Sequence, residues 1–231
     1  MNHLVDKNVQ MRLAKAIDSA VEQVLAEITM HGNEEGLTAA LGHALSHEII
    51  KDGDLEVNFK YRQHNKITEE NTSGSDGNFL VRVSTPDQAI EKASLFQAKL
   101  VRGEGDIRGL RIRHSEAMRL KKQSKDMLKH TSEAVAVFYT HKNVYVVDAG
   151  DYSKGATSTT PLAAEHRLIT LGTYLGKWMP RCTKGEIDTD FVKRAKHEDG
   201  FKHGLTMNVI TIRPSVPWII DKQERDWRVK T

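Results

Sequence analysis

The chain has 231 residues, of which 39% are hydrophobic and 28% charged, and its formal net charge is +3. That is the composition of an ordinary globular protein with one sizeable core. A single cysteine, Cys182, excludes an internal disulfide and a multi-cysteine zinc site, and no apolar run approaches the length of a membrane-spanning helix.

The first predicted element is a long amphipathic helix from Val5 to Met30, with Leu13, Ile17, Val21, Val24 and Ile28 in register, closed by His31-Gly32-Asn33. The opening residues Met1-Asn2-His3-Leu4-Val5-Asp6 lack the basic-then-apolar pattern of a secretory signal, so a reducing, cytoplasmic setting is expected. A second helix is predicted from Leu37 to Ile50, on the spacing of Leu37, Leu41, Ala44, Leu45 and Ile49. Lys51-Asp52-Gly53-Asp54 then forms a turn, and Leu55, Val57, Phe59 and Tyr61 alternate as a strand. Gln63 to Gly74 is polar and reads as a loop.

The most informative segment follows. Asp76 opens a strand running through Phe79, Leu80, Val81 and Val83, and a second strand holds Ala93-Ser94-Leu95-Phe96-Gln97-Ala98-Lys99-Leu100. Side chains alternate along a strand, so Gln97 and Lys99 leave one face while Phe96, Ala98 and Leu100 leave the other, toward a core. A carboxylate, an amide oxygen and a lysine meeting at one sheet edge are what metal-assisted phosphodiester cleavage requires. Mg²⁺ takes hard oxygen ligands and keeps several waters, so one or two carboxylates plus substrate phosphate suffice. Asp76 is the expected principal carboxylate, with the Gln97 amide oxygen and the Ala98 carbonyl as neutral ligands. Lys99 is placed to orient the attacking water or to pair with the scissile phosphate.

Downstream, Ser115 to His130 has the pattern of an amphipathic helix, Val135 to Thr140 and Val144 to Val147 read as two adjacent strands, and Asp151 to Pro161 as a linker or long loop. Leu162 to Trp178 is predicted helical, and Thr206 to Ile212 a late strand. The natural solution to this order is an α/β fold, a mixed central sheet flanked by helices.

Asp76 and the tripeptide Gln97-Ala98-Lys99 resemble the PD-(D/E)XK nuclease superfamily, and in particular a branch found among bacterial restriction and anti-phage defence endonucleases. The resemblance covers roughly Gly36 to Tyr145. It implies a restriction-endonuclease-like core and a helix glutamate upstream, here Glu48, as a further metal ligand and catalytic residue. It also implies that Gln123, on the helix after Lys99, faces the site. The tripeptide begins with Gln rather than an acid, which lowers the formal charge of the site by one and is expected to weaken metal affinity. The segment Arg181-Cys182-Thr183-Lys184-Gly185-Glu186 is similar to a short motif of such proteins.

Charge is unevenly spread. Met1 to Ser75 holds seven basic and twelve acidic residues, whereas Arg102 to Lys129 holds nine basic and four acidic ones. A basic segment directly after Lys99 is where a nucleic-acid backbone needs neutralising, which nominates Arg108, Arg111, Arg113, His114, Lys121 and Gln123 as contacts. His114 is also a candidate acid for the leaving oxygen. Aromatic residues are sparse there, so duplex DNA gripped through phosphates is favoured over a stacked single strand. His43 and His47 share a helix face, but no third zinc ligand is identifiable.

The expectation is therefore a single domain. Residues 1–35 form an N-terminal helix that serves packing or assembly, 36–148 a catalytic core, and 149–231 a mostly helical remainder. The expected activity is that of a Mg²⁺-dependent endonuclease cutting double-stranded DNA, with Mn²⁺ able to substitute. Such an enzyme would act in anti-phage defence as a homo-oligomer or with a partner defence protein. The alternatives are a non-catalytic nucleic-acid-binding or assembly module on the same fold, and a nuclease that cuts RNA.

Overall fold

The computed structural model describes residues 2–3, 5, 7–27, 34–63, 73–101, 111–155, 167–181, 184–197, 201–211 and 216–217. Its centre is an eight-stranded mixed sheet in the order β2 (Ile49–Asp52), β3 (Leu55–Gln63), β9 (His203–Thr211), β4 (Gly77–Ser84), β5 (Ala89–Leu100), β6 (Ala134–Tyr139), β7 (Val144–Asp148), β8 (Ile169–Thr170), covered by helices on both faces. The α/β expectation therefore holds. Among the described residues no helix is long and apolar enough to cross a membrane.

Helix α1 (Lys7–Glu27) and helix α2 (Glu34–His47) lie on one face of the sheet. Leu13, Ile17 and Val21 of α1 are fully buried, so this helix covers its own core. It packs on a short π-helix (Thr173–Trp178), where Asp18 accepts from the Gly172 N–H at 2.8 Å and the Thr170 hydroxyl at 2.8 Å. The predicted helix over 162–178 is thus shorter. It is preceded by the two-residue strand β8 (Ile169–Thr170), and residues 162–166 lie outside the described residues.

Helix α2 ends at His47, not Ile50. Strand β2 (Ile49–Asp52) instead pairs antiparallel with β3 (Leu55–Gln63). The two-residue turn Gly53-Asp54 joins them, and Gly53 takes the positive φ of 55° that such turns demand. Local apolar spacing favoured helix through Ile50. Hairpin pairing with β3 wins because it satisfies the backbone of both strands.

Strand β4 (Gly77–Ser84) runs antiparallel to β5 (Ala89–Leu100), and β5 runs parallel to β6 (Ala134–Tyr139). A parallel pair needs a crossover, supplied by helix α3 (His114–Met127) on the second face of the sheet. β6 pairs antiparallel with β7 (Val144–Asp148), which leads into helix α4 (Ala149–Lys154), where the linker had been expected to begin. Asp148 caps α4 by accepting the Gly150 and Asp151 N–H groups.

The described residues of the C-terminal part hold both helix and strand. Helix α5 (Thr189–Lys196) is followed by β9 (His203–Thr211), inserted between β3 and β4, antiparallel to the first and parallel to the second. Leu205, Met207 and Val209 alternate into the core, so the late strand is central rather than an addition at the edge. The terminal strands β1 (Asn2–His3) and β10 (Val216–Pro217) form a separate pair.

The segment around Cys182 acts as a clasp on β5. The Lys92 ammonium, buried on β5, donates to the backbone carbonyls of Met179, Arg181 and Lys184. Glu186 bridges to Ala93 through two backbone hydrogen bonds. Lys184, also buried, pairs with Asp148 at 3.0 Å and Glu133 at 3.6 Å. Buried cations persist only when paired in this way. The clasp holds the first half of β5, and the candidate site occupies its other end. Cys182 and Thr183 themselves lie outside the described residues.

Candidate active site

The β4–β5 ladder ends at the Gly77–Phe96 pair. One step further in the same register brings Asp76 opposite Gln97. The Asp76 backbone is held from both sides, its N–H donating to Phe96 O at 2.9 Å and its carbonyl accepting from His203 N at 3.2 Å. Gly77 is required by that close approach, because a Cβ there would lie 2.2 Å from the His203 carbonyl oxygen.

Asp76 Oδ2 accepts two hydrogen bonds, from the Ala98 N–H at 2.8 Å and from Gln97 Nε2 at 2.6 Å. Where the strand ladder stops, the carboxylate takes over the backbone donor. Gln97 Nε2 also reaches the Ala98 carbonyl at 3.3 Å. Gln97 Oε1 accepts from Gln123 Nε2 of α3 at 2.9 Å. The result is a linear chain, Asp76–Gln97–Gln123, that crosses from β4 over β5 to α3.

As the alternation predicts, Gln97 and Lys99 share the face toward α3, while Phe96 and Ala98 join the core on the opposite face. Both polar residues are nevertheless buried, Gln97 at 2% and Lys99 at 3% exposure. A lysine in that environment needs anionic partners. Lys99 Nζ lies 3.0 Å from Glu34 Oε2 and 3.9 Å from Glu116 Oε2, the first at the start of α2 and the second on the first turn of α3.

Glu48 is not brought to this cluster. It follows the last residue of α2 and is exposed. A helix rises about 1.5 Å per residue, which puts the two ends of α2 roughly 20 Å apart. The end that meets Lys99 is the one carrying Glu34. The α2 carboxylate beside Lys99 is thus that of Glu34, at the opposite end of the helix from Glu48. Glu34 sits in the first turn, where the helix dipole favours a negative charge.

Further residues missed in the sequence position that end of α2. The Tyr139 hydroxyl of β6 donates to Thr38 Oγ1 at 3.0 Å, and Thr38 Oγ1 donates to the Glu34 carbonyl at 2.8 Å. Burial pushes the Tyr139 phenol well above its usual range, and the nearby Asp76 and Glu34 charges add to this. Tyr139 therefore remains a donor at any physiological pH. No sequence signal marks Tyr139 or Glu116, but the acidic pair Glu34-Glu35 ahead of an apolar-periodic run is an ordinary sign of a helix start.

Arg111, Arg113 and His114 are exposed at the start of α3, and Lys121 is half-buried further along it. Arg108 lies outside the described residues. Glu116 and Gln123 occupy the flank of α3 that meets β5, whereas Arg119, Lys122 and Lys125 are exposed. His43 makes an edge-on contact with Tyr61 at a ring separation of 4.9 Å.

The hard oxygen donors at the site are the Asp76 and Glu34 carboxylates, the Gln97 amide and the Ala98 carbonyl. Among the described residues no group of three or more His, Cys, Asp and Glu side chains is arranged to hold a metal ion by itself. An oxygen-only set with few charges fits a weakly held Mg²⁺ that keeps waters and takes the rest of its shell from a phosphate. It does not fit a structural zinc site. No family model, curated protein or solved structure matches this chain.

Proposed function

We propose that this chain is a Mg²⁺-dependent endonuclease that hydrolyses phosphodiester bonds of double-stranded DNA. The reading is supported by the convergence at one end of β5 of the Asp76 carboxylate, the Gln97 amide and a buried Lys99 bracketed by two glutamates. Asp76, the Ala98 carbonyl and Gln97 would hold the ion, with Glu34 beside them. The ion, when bound, acidifies a water and offsets charge developing on the phosphoryl oxygens.

The protein's own groups do the rest. Lys99 exchanges its carboxylate partner for a phosphate oxygen of the scissile bond, a compact cation meeting charge that grows in the transition state. Glu34, released from Lys99, would accept the proton of the attacking water as its oxygen bonds to phosphorus; the P–O bond to the departing sugar oxygen breaks, and that oxygen takes a proton from solvent. Arg111, Arg113 and Lys121 neutralise flanking phosphates, and the polymer is recognised by its backbone rather than its bases. A role in anti-phage defence belongs to this reading as the setting in which such an enzyme would act.

One observation favours a second reading, a nucleic-acid-binding module without cleavage. Gln97 turns its NH₂ rather than its oxygen toward Asp76, so Asp76 Oδ2 is held by an amide donor at 2.6 Å.

The deciding experiment incubates purified protein with supercoiled plasmid, with and without Mg²⁺ or Mn²⁺, beside Asp76→Asn. Nicked or linear product that depends on the ion and on Asp76 is expected. DNA binding without cleavage at any ion concentration would establish the second reading. Cleavage that survives Asp76→Asn would remove the site from the mechanism. An RNA duplex run in parallel separates the two polymers.

A further inference from the structure

We infer that Gln123 is a positioning residue that sets which end of the Gln97 amide faces Asp76, and so controls the site's affinity for a divalent cation. The inference rests on the proposed reading of the site as a cation-dependent one and names a regulation internal to it.

In the structure the chain of donors runs one way. Gln123 donates through Nε2 to Gln97 Oε1, and Gln97 donates through Nε2 to Asp76 Oδ2. A cation on Asp76 requires the reverse at Gln97, because a metal takes the amide oxygen and repels the NH₂. Turning Gln97 over places its NH₂ against Gln123, which must then offer an oxygen. Gln123 Oε1 is buried and, among the described residues, has no hydrogen-bond partner. Such an orphan acceptor is costly. Turning Gln123 over as well gives that oxygen the Gln97 NH₂ as its donor and puts the Gln123 NH₂ in the unpartnered place, so the two polarities leave different ends of Gln123 unsatisfied.

The two amides thus form a relay with two polarities, one that seals Asp76 and one that opens it to a cation. A glutamate in place of Gln97 is symmetric at its end and would have no such polarity. The departure of the tripeptide from an acid is therefore what makes Gln123 matter.

The test is a double-mutant cycle on Mn²⁺ binding, read by calorimetry and by the electron paramagnetic resonance of bound Mn²⁺, without substrate. Gln123→Glu can only accept, so it should commit Gln97 to the open polarity and tighten Mn²⁺ binding about five-fold, the equivalent of one hydrogen bond. The added negative charge alone would also tighten binding, so the same change is made in a Gln97→Glu background. There it sets two carboxylates against each other and should weaken binding. In the ion-free protein, the Gln97 side-chain NH₂ resonances should shift in Gln123→Glu toward their positions in Mg²⁺-loaded wild type.

Tightening of similar size in both backgrounds, or unchanged affinity and resonances, would overturn the relay while leaving the cation site intact. Absence of ion binding in wild type, with Asp76→Asn as control, would overturn both the relay and the nuclease reading.

Discussion

The Lys99 ammonium lies 3.0 Å from Glu34 Oε2, joining the end of β5 to the first turn of α2. The two residues are 65 positions apart in the chain, and their pairing decides which end of α2 belongs to the site. On the proposed reading, Glu34 holds Lys99 in place until a substrate phosphate replaces it.

Glu34, in the first turn of α2, and Glu48, just past its last residue, should differ in their effect on cleavage. Glu34→Gln should reduce plasmid cleavage about a hundred-fold or more, the scale of losing a base or an electrostatic partner. Glu48→Gln should change the rate less than two-fold, roughly the scatter expected of an exposed residue away from the site. Single-turnover cleavage rates check both, and equal losses would return Glu48 to the mechanism.

Arg111 and Arg113, exposed at the start of α3, and the half-buried Lys121 further along it should act through counterion release. Neutralising Arg111, Arg113 or Lys121 singly should weaken DNA binding uniformly across sequences and reduce the slope of log K against log salt by about one for each lost contact. Fluorescence anisotropy over a salt series measures the slope. An unchanged slope places the polymer elsewhere.

Acid should destabilise the protein partly through His203. This residue shares a 2.6 Å hydrogen bond between its Nδ1 and the Tyr61 hydroxyl. Burial, aided by the Lys202 charge, lowers the pKa of its imidazole from 6.5 to about 4. The folded state therefore resists a proton that the unfolded chain accepts. Above about pH 6.5 the group is neutral in both states and contributes nothing to pH dependence. Between about 6.5 and 4 the unfolded state binds more protons, so stability falls with falling pH by at most about 1.4 kcal/mol per unit. Urea denaturation at pH 7.5, 6 and 5 should show a steeper acid loss for wild type than for His203→Asn. Parallel curves would contradict this.

The clasp on β5 should be structural and separable from the chemistry. Lys184→Met leaves Asp148 and Glu133 without their buried counter-ion, and breaking a buried pair costs about 3 kcal/mol or more. Denaturant midpoints should fall accordingly. Removing an acid at the same time, Lys184→Met with Asp148→Asn, should restore part of the loss. No recovery in the double variant would show that the pair is not what the lysine supplies.

Part of this site was legible in the sequence because it depends on neighbours along the chain. Strand alternation alone puts Gln97 and Lys99 on one face and Phe96 and Ala98 on the other. The polar turn before an apolar run places Asp76 at the mouth of a strand. The amphipathic period of α3 set its bounds to within a few residues, and the mixed α/β order followed from alternating elements.

What the sequence by itself determined, then, was the local geometry of each strand and helix, because those periods depend on backbone sterics and side-chain spacing a few residues apart. Tertiary structure alone decided that Glu34 rather than Glu48 meets Lys99, that β9 enters the middle of the sheet, and that Gln123 bonds Gln97. Those choices depend on which helix end a strand faces, which unpaired backbone finds a partner, and how buried charges are compensated. Each is settled by contacts between residues far apart in the chain, which no local period encodes.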